Sequence, residues 1–294
     1  MTNNVSPHHW RVEADVRNEL GEHPLWDDST HSLVWVDILE GTVNRLDERG
    51  DLTHVRLGDS LGAVGLRDGG GLIAAVDQQF VFTDRDGTVN RDPIAAPVAE
   101  GMRFNDASCD PVGRFLAGIV SAAGEPSGQL LQLHPDGHVE IVLEGLIESN
   151  GLAWSLDGST LYFVDSGEQC IRRYAYDCET GKLGGRQPDL CEFALQQGTP
   201  DGLTIDAEGA LWVALWQGSA VKRMSPEGQE LVHLDLPVSQ PTCVAFGTAT
   251  RDRLYVTSAW EGLTPTERAA EPLAGALFSA PVGVKGTPAH RFRG

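Results

Sequence analysis

Six short β-rich runs recur along the chain at near-regular intervals, and this spacing limits the possible folds more than any other feature. The runs are Leu33-Val-Trp-Val-Asp37, Leu72-Ile-Ala-Ala-Val76, Phe115-Leu-Ala-Gly-Ile119, Leu161-Tyr-Phe-Val-Asp165, Leu211-Trp-Val-Ala-Leu215 and Leu254-Tyr-Val-Thr-Ser258. Their starts lie roughly 39, 43, 46, 50 and 43 residues apart, close to the ~40–50-residue period of propeller blades. Amphipathic helical periodicity is hard to find, and 34 Gly with 16 Pro in 294 residues demand many tight turns. The expected fold is all-β, a six-bladed β-propeller with four-stranded blades around a central channel. Thr42–Leu46 and Ala220–Met224 read as third strands that follow two of the runs. With no linker or composition shift, residues 1–294 read as a single domain. A strand at Trp10-Arg-Val-Glu-Ala14 is expected to close the ring against the last blade, whose own strand is Ala276–Val282.

Charge excludes several classes of partner. Against 22 Lys+Arg stand 42 Asp+Glu, a formal net charge of −20. With no basic run to offset it, nucleic acid and anionic membrane surfaces are repelled. No apolar run approaches the ~18 residues of a membrane span and Met1–Trp10 lacks a signal pattern, so a cytoplasmic location is expected. Five cysteines (Cys109, Cys170, Cys178, Cys191, Cys243) without CxxC spacing argue against a disulfide framework and a cysteine zinc site. A serine esterase is disfavoured because Gly-x-Ser-x-Gly is absent, and Ser166 reads as a turn residue. A closed ring is self-sufficient, which makes a monomer the default.

A second regularity appears about 10 to 12 positions upstream of each run, where the innermost strand of a blade should begin. The segments there are Gly21-Glu22-His23-Pro24, Leu61-Gly62-Ala63, Arg103-Phe104-Asn105-Asp106, Ser149-Asn150-Gly151, Pro200-Asp201-Gly202 and Pro241-Thr242. Four blades thus supply a carboxylate or carboxamide, Glu22, Asn105, Asn150 and Asp201, to one mouth of the channel. Oxygen donors without lysine or cysteine suit a hard divalent cation, with Glu22 and Asp201 balancing its charge and Asn150 adding a neutral oxygen. Asp68-Gly69, Asp86-Gly87, Asp136-Gly137 and Asp157-Gly158 read only as hairpin turns. Asn150-Gly151 and Asp201-Gly202 differ from them in sitting at the inner-strand offset.

Taken in order, Gly21-Glu22-His23-Pro24-Leu25-Trp26, Arg103-Phe104-Asn105-Asp106-Ala107, Ser149-Asn150-Gly151-Leu152-Ala153-Trp154 and Pro200-Asp201-Gly202-Leu203 resemble the signatures of the senescence marker protein/regucalcin/gluconolactonase family. The segments Thr257–Leu263 and Pro272–Phe278 resemble its bacterial sugar-lactonase branch. The resemblance spans nearly the whole chain. It implies a six-bladed propeller with one divalent metal (Ca, Mn, Mg, Zn or Fe), held by Glu22, Asn150 and Asp201. It further implies Asn105 as a contact to metal-bound water or substrate and Arg103 as a contact to substrate hydroxyls. His23 departs from the family, which more often has glycine there, and a structural role is the leading reading for it. The family's substrate-covering loop does not align with Ser121-Ala-Ala-Gly-Glu125, so its acidic role is not carried to Glu125.

The expected activity is hydrolysis of a sugar (aldono-) lactone to its aldonic acid, with a small-molecule lactone as partner. The metal would polarise the lactone carbonyl, and Asp201 or a metal-bound hydroxide would assist attack by water. Two alternatives stay open: a metal-dependent phosphotriesterase or other esterase, and a non-catalytic calcium-binding propeller. Trp216, Trp260 and His23 are candidate pocket walls, although both tryptophans read first as blade-packing residues.

Overall fold

The computed structural model describes residues 10–121 and 124–294. Six antiparallel sheets succeed one another along the chain as the blades of a propeller. Their innermost strands are Gly21–Asp27, Leu61–Arg67, Met102–Cys109, Ser149–Trp154, Thr199–Ile205 and Pro241–Gly247. Each pairs with a second strand that contains one of the six runs: Ser32–Asp37, Leu72–Val76, Phe115–Ser121, Thr160–Asp165, Leu211–Trp216 and Arg253–Ser258. The two inner strands of a blade are covered on both faces, so they read as continuous apolar stretches rather than as alternation. Outer strands such as Leu52–Arg56 and Val89–Ala95 are mostly exposed and carry no comparable signal. The core fills the wedges between neighbouring blades. Between the second and third blades, for example, Phe80 meets Phe104 at 5.2 Å and Phe115 edge-on at 6.0 Å.

The ring is closed from both ends of the chain. Arg11–Ala14 joins the last blade beside Leu277–Pro281, with Arg11 opposite Ser279, and supplies that blade's fourth strand. The carboxy-terminal segment crosses the far end of the channel. Lys285 O accepts from Ala207 N (2.8 Å), Gly286 N donates to Arg251 O (2.9 Å), and Arg293 N donates to Gly113 O (3.0 Å). Arg291–Phe292 then adds a parallel fifth strand to the second blade along Leu66–Arg67. No helix among the described residues is long and apolar enough to cross a membrane.

One irregularity recurs in every blade. Between Glu22 and Leu25, Leu61 and Val64, Phe104 and Ala107, Ser149 and Leu152, Pro200 and Leu203, and Pro241 and Val244, the inner strand advances three residues while its partner advances two. Each inner strand therefore carries a β-bulge at the same level of the channel. A bulge breaks the two-residue alternation and re-aims the side chains at and beside it. The Asp-Gly pairs at 68–69, 86–87, 136–137 and 157–158 lie in turns as expected, whereas Asn150-Gly151 and Asp201-Gly202 lie inside strands at the bulges.

Candidate metal centre and substrate cavity

The bulges gather the expected residues at one end of the channel. Glu22, Arg103, Asn105, Asn150 and Asp201 line a single cavity of about 270 Å³, which they share with Ser166 and Trp216. Glu22, Asn150 and Asp201 keep only 5%, 4% and 6% of their surface exposed, so they form its floor. The glycines that follow Asn150 and Asp201 permit this convergence. A Cβ on Gly151 would lie 2.6 Å from Leu203 N and 2.8 Å from Asp201 O, and one on Gly202 would lie 2.4 Å from the Cys243 Cβ. Adjacent inner strands approach too closely there for a side chain.

Hydrogen bonds within strands and between neighbouring elements orient the polar groups of the floor. Glu22 Oε2 accepts the backbone N–H of His23 at 2.6 Å. The Asn150 carboxamide donates through Nδ2 to Ser166 Oγ (3.1 Å), and Ser166 Oγ in turn donates to Pro200 O (2.7 Å). Asn105 bridges two blades, donating to Ser149 O (3.0 Å) while its oxygen accepts from Arg103 Nη1 (2.6 Å). Arg103 Nη1 also reaches Phe104 O at 3.0 Å, which leaves the rest of the guanidinium to the cavity.

Two oxygens on this floor, Asn150 Oδ1 and Asp201 Oδ1, are buried with no hydrogen-bond partner. The carboxyls are also electrostatically uncomfortable. Burial pushes Glu22 well above the ordinary carboxylate range and the nearby Asp106 adds to the rise, while the His23 N–H opposes it. Asp201 is likewise pushed well up, by burial and then by the charges of Glu22, Glu148 and Asp106. Buried like charges and orphaned acceptors are what a divalent cation would relieve, so the residues present fit one. Among the described residues no three His, Cys, Asp or Glu side chains gather for a metal, because the third donor here is an amide oxygen.

His23 faces the other way. It has a left-handed backbone, φ +49°, and its Nδ1 lies 2.7 Å from Asp106 Oδ1. Both side chains line a separate cavity of about 110 Å³ deeper in the channel, walled by Thr287–His290 of the carboxy-terminal segment. His23 thus lies outside the cavity that Glu22 lines, paired with Asp106 against the second one. Trp216 is a wall of the cavity that holds Glu22, Asn150 and Asp201, while Trp260 lies under the Arg268 guanidinium (3.8 Å) and donates to Arg17 O (2.9 Å). Of the segment Ser121–Glu125, Ala122 and Ala123 lie outside the described residues.

Residues 20–260 match the family model described as the SMP-30/Gluconolactonase/LRE-like region. The chain belongs to the SMP-30/gluconolactonase family. It is 38% identical over 279 residues to a 6-deoxy-6-sulfogluconolactonase of Pseudomonas putida, covering 94% of this chain and 95% of the relative. It is 34% identical over 301 residues to regucalcin of Bos taurus, covering 97% and 99%. The crystal structure of a calcium-binding protein, regucalcin, from Agrobacterium tumefaciens superimposes with a TM-score of 0.92 at 28% identity, over 99% of both chains.

Within this SMP-30/gluconolactonase chain, Ser166, Glu148 and Glu261 are among the cavity residues that escape a reading of sequence. Ser166 looks like an ordinary turn residue, yet its hydroxyl aims Asn150. Glu148 immediately precedes the Ser149-Asn150 motif and Glu261 follows Trp260, and both line the cavity. Neither falls at the inner-strand offset, so the blade register carries no sign of them. Their position becomes visible only once the ring is closed.

Proposed function

We propose that this protein hydrolyses sugar lactones, converting an aldonolactone to its aldonic acid at the channel-mouth cavity. Family membership and the lactonase relatives support the reaction class. The observation that carries the assignment to this cavity is the buried pair Glu22 and Asp201, with unpartnered oxygens on Asp201 and Asn150 facing a polar space. Glu22, Asn150 and Asp201 would hold one divalent cation, and the all-oxygen donor set suits Ca²⁺, Mg²⁺ or Mn²⁺. When bound, the ion supplies Lewis acidity toward the lactone carbonyl, worth several kcal/mol of charge stabilisation.

The remaining chemistry belongs to the side chains. Arg103 directs its free N–H groups at the hydroxyls of the sugar, and Asn105 keeps that guanidinium in place. Trp216 provides an apolar wall for the ring face. Water adds to the carbonyl carbon, and collapse of the tetrahedral adduct re-forms the carbonyl and breaks the ring C–O bond. Asp201 accepts the water proton on its carboxylate and returns it to the departing ring oxygen, a role usually worth ~10²–10⁴-fold in rate.

The test is hydrolysis of glucono- and xylonolactones by purified protein. Chelation should abolish turnover and re-addition of a divalent ion should restore it, and Asp201→Asn should lower kcat by at least ~10²-fold with the fold intact. Turnover that survives complete metal removal, or near-normal activity of the Asp201→Asn protein, rules the assignment out.

A further inference from the structure

The charge on the cavity changes in kind between floor and rim. Besides the buried floor, the cavity is lined by three charged side chains that solvent reaches: Arg103 and Glu261, both half-buried, and Glu148, which is exposed. The backbones carrying the two glutamates are fixed. Glu148 N donates to Asp165 Oδ1 (2.9 Å), and Glu261 N donates to Glu19 O (3.0 Å) while Glu261 O accepts from Gln240 Nε2 (3.2 Å). Their carboxylates, by contrast, have no hydrogen-bond or ion-pair partner among the described residues, and Arg103 forms no ion pair within 4 Å there. Burial lowers the Arg103 pKa, and the carboxylates that oppose this are Glu261 and Glu148 ahead of Glu22 and Asp201.

We propose that Glu148 and Glu261 are specificity-determining residues, restricting the cavity to uncharged polyhydroxylated lactones and turning away lactones that carry a phosphate, sulfonate or carboxylate. The inference rests on the lactonase reading and extends it to substrate class. A divalent cation would balance Glu22 and Asp201, leaving two rim carboxylates against one guanidinium and a negative entrance. A carboxylate can only accept hydrogen bonds. Sugar hydroxyls donate to it readily, whereas an anionic substituent offers no proton and meets repulsion at short range in a partly desolvated wall. The protein's overall charge of −20 adds a field of the same sign. Arg103 alone would draw an anion in, but its two carboxylate neighbours outnumber it.

The experiment compares metal-loaded wild type, Glu148→Gln/Glu261→Gln and Glu148→Asp/Glu261→Asp on D-glucono-1,5-lactone and its 6-phosphate, at low and high ionic strength. Wild type should favour the neutral lactone in kcat/KM by at least about tenfold at low salt, with a smaller ratio at high salt. The Gln pair should move that ratio at least about fivefold toward the phosphate, and the Asp pair, which keeps the charge, should hold it near the wild-type value. The same proteins are titrated calorimetrically with 1,5-anhydro-D-glucitol and its 6-phosphate, which have the ring but no scissile bond. A wild type that turns over neither lactone yet binds the neutral polyol preferentially, in a Gln-sensitive way, refutes the lactonase reading and upholds the charge filter. A neutral-to-anionic ratio that stays within about twofold in the Gln pair, in turnover or in binding, overturns the proposal.

Discussion

Glu22 and Asp201 share a floor that crowds two carboxylates out of water, a repulsion that a divalent cation held there would remove. Divalent ion should therefore raise Tm, by an amount that grows with its concentration above Kd. Glu22→Gln should raise the Tm of the chelated protein and abolish most of the increment from added ion, two shifts of opposite sign read from the same thermal melts. A fall in the chelated Tm on substitution would show that the pair is not repulsive. Ser166 acts on the same floor through Asn150, its hydroxyl fixing which end of the carboxamide faces the cavity. Ser166→Ala should weaken divalent-ion affinity by about 10–100-fold, as loss of a partner that orients a ligand does. It should cost only about 1 kcal/mol of stability. Ion titration calorimetry together with urea melts separates the two effects. At this scale the residue types of the floor were legible in the sequence, because a carboxylate or amide recurs at one offset. Ser166 was not, since a serine in Asp-Ser-Gly has the composition of any turn.

The inner strand is the element that builds the site, and its bulge is the device. Six bulges at one level give the channel mouth a ring of re-aimed side chains, and in two blades a glycine follows the key residue so that the next strand can come close. Neither Gly151 nor Gly202 has a left-handed φ, so their role is space and not conformational freedom. Gly151→Ala should destabilise the fold by about 1–3 kcal/mol through overpacking against the backbone of Leu203 and Asp201. It should also reduce ion affinity, because the strand carrying Asp201 has to move. Denaturant melts and ion titration test both, and a neutral result would mean the strands separate freely. Asn-Gly and Asp-Gly are ordinary hairpin signals, and only their place in the repeat distinguished the two pairs on the cavity floor from four true turns. The bulges themselves leave no local mark, since the extra residue differs from blade to blade: His23-Pro24 in one, Asn105-Asp106 in another.

Across the whole molecule the ring depends on both chain termini, and the carboxy-terminal segment stitches the second, third, fifth and sixth blades together beneath the channel. Phe292, 1% exposed and 6.1 Å from Phe82, anchors it. Phe292→Ala should cost about 3–5 kcal/mol, measured by denaturant unfolding. A loss below about 1 kcal/mol would show the segment to be a passive cover. Asp27 couples this segment to the first blade. Burial alone would raise its pKa, but hydrogen bonds from Ser29, Thr30 and Arg291 outweigh that and hold it below the ordinary value. A carboxylate depressed in the folded state stabilises above its unfolded pKa of ~3.9 and loses that contribution as pH falls through its folded value. Stability should thus decline below about pH 4, and Asp27→Asn should flatten that limb. An unchanged slope in urea melts between pH 5 and 3 would exclude Asp27 as a contributor.

The period of the strand runs, the all-β class, the ring closure by the first strand and the identity of Glu22, Asn105, Asn150 and Asp201 followed from the chain alone. Repetition writes architecture into sequence as spacing, and buried inner strands write themselves as apolar runs. Tertiary structure decided the rest: the opposite facing of Glu22 and His23, the aim of Asn150 set by Ser166, and the rim formed by Glu148, Glu261 and Arg103. The rim joins Arg103 and Glu261 from different blades, more than a hundred positions apart, and His23 meets Asp106 83 positions away, relations that exist only after closure brings the strand ends to one axis.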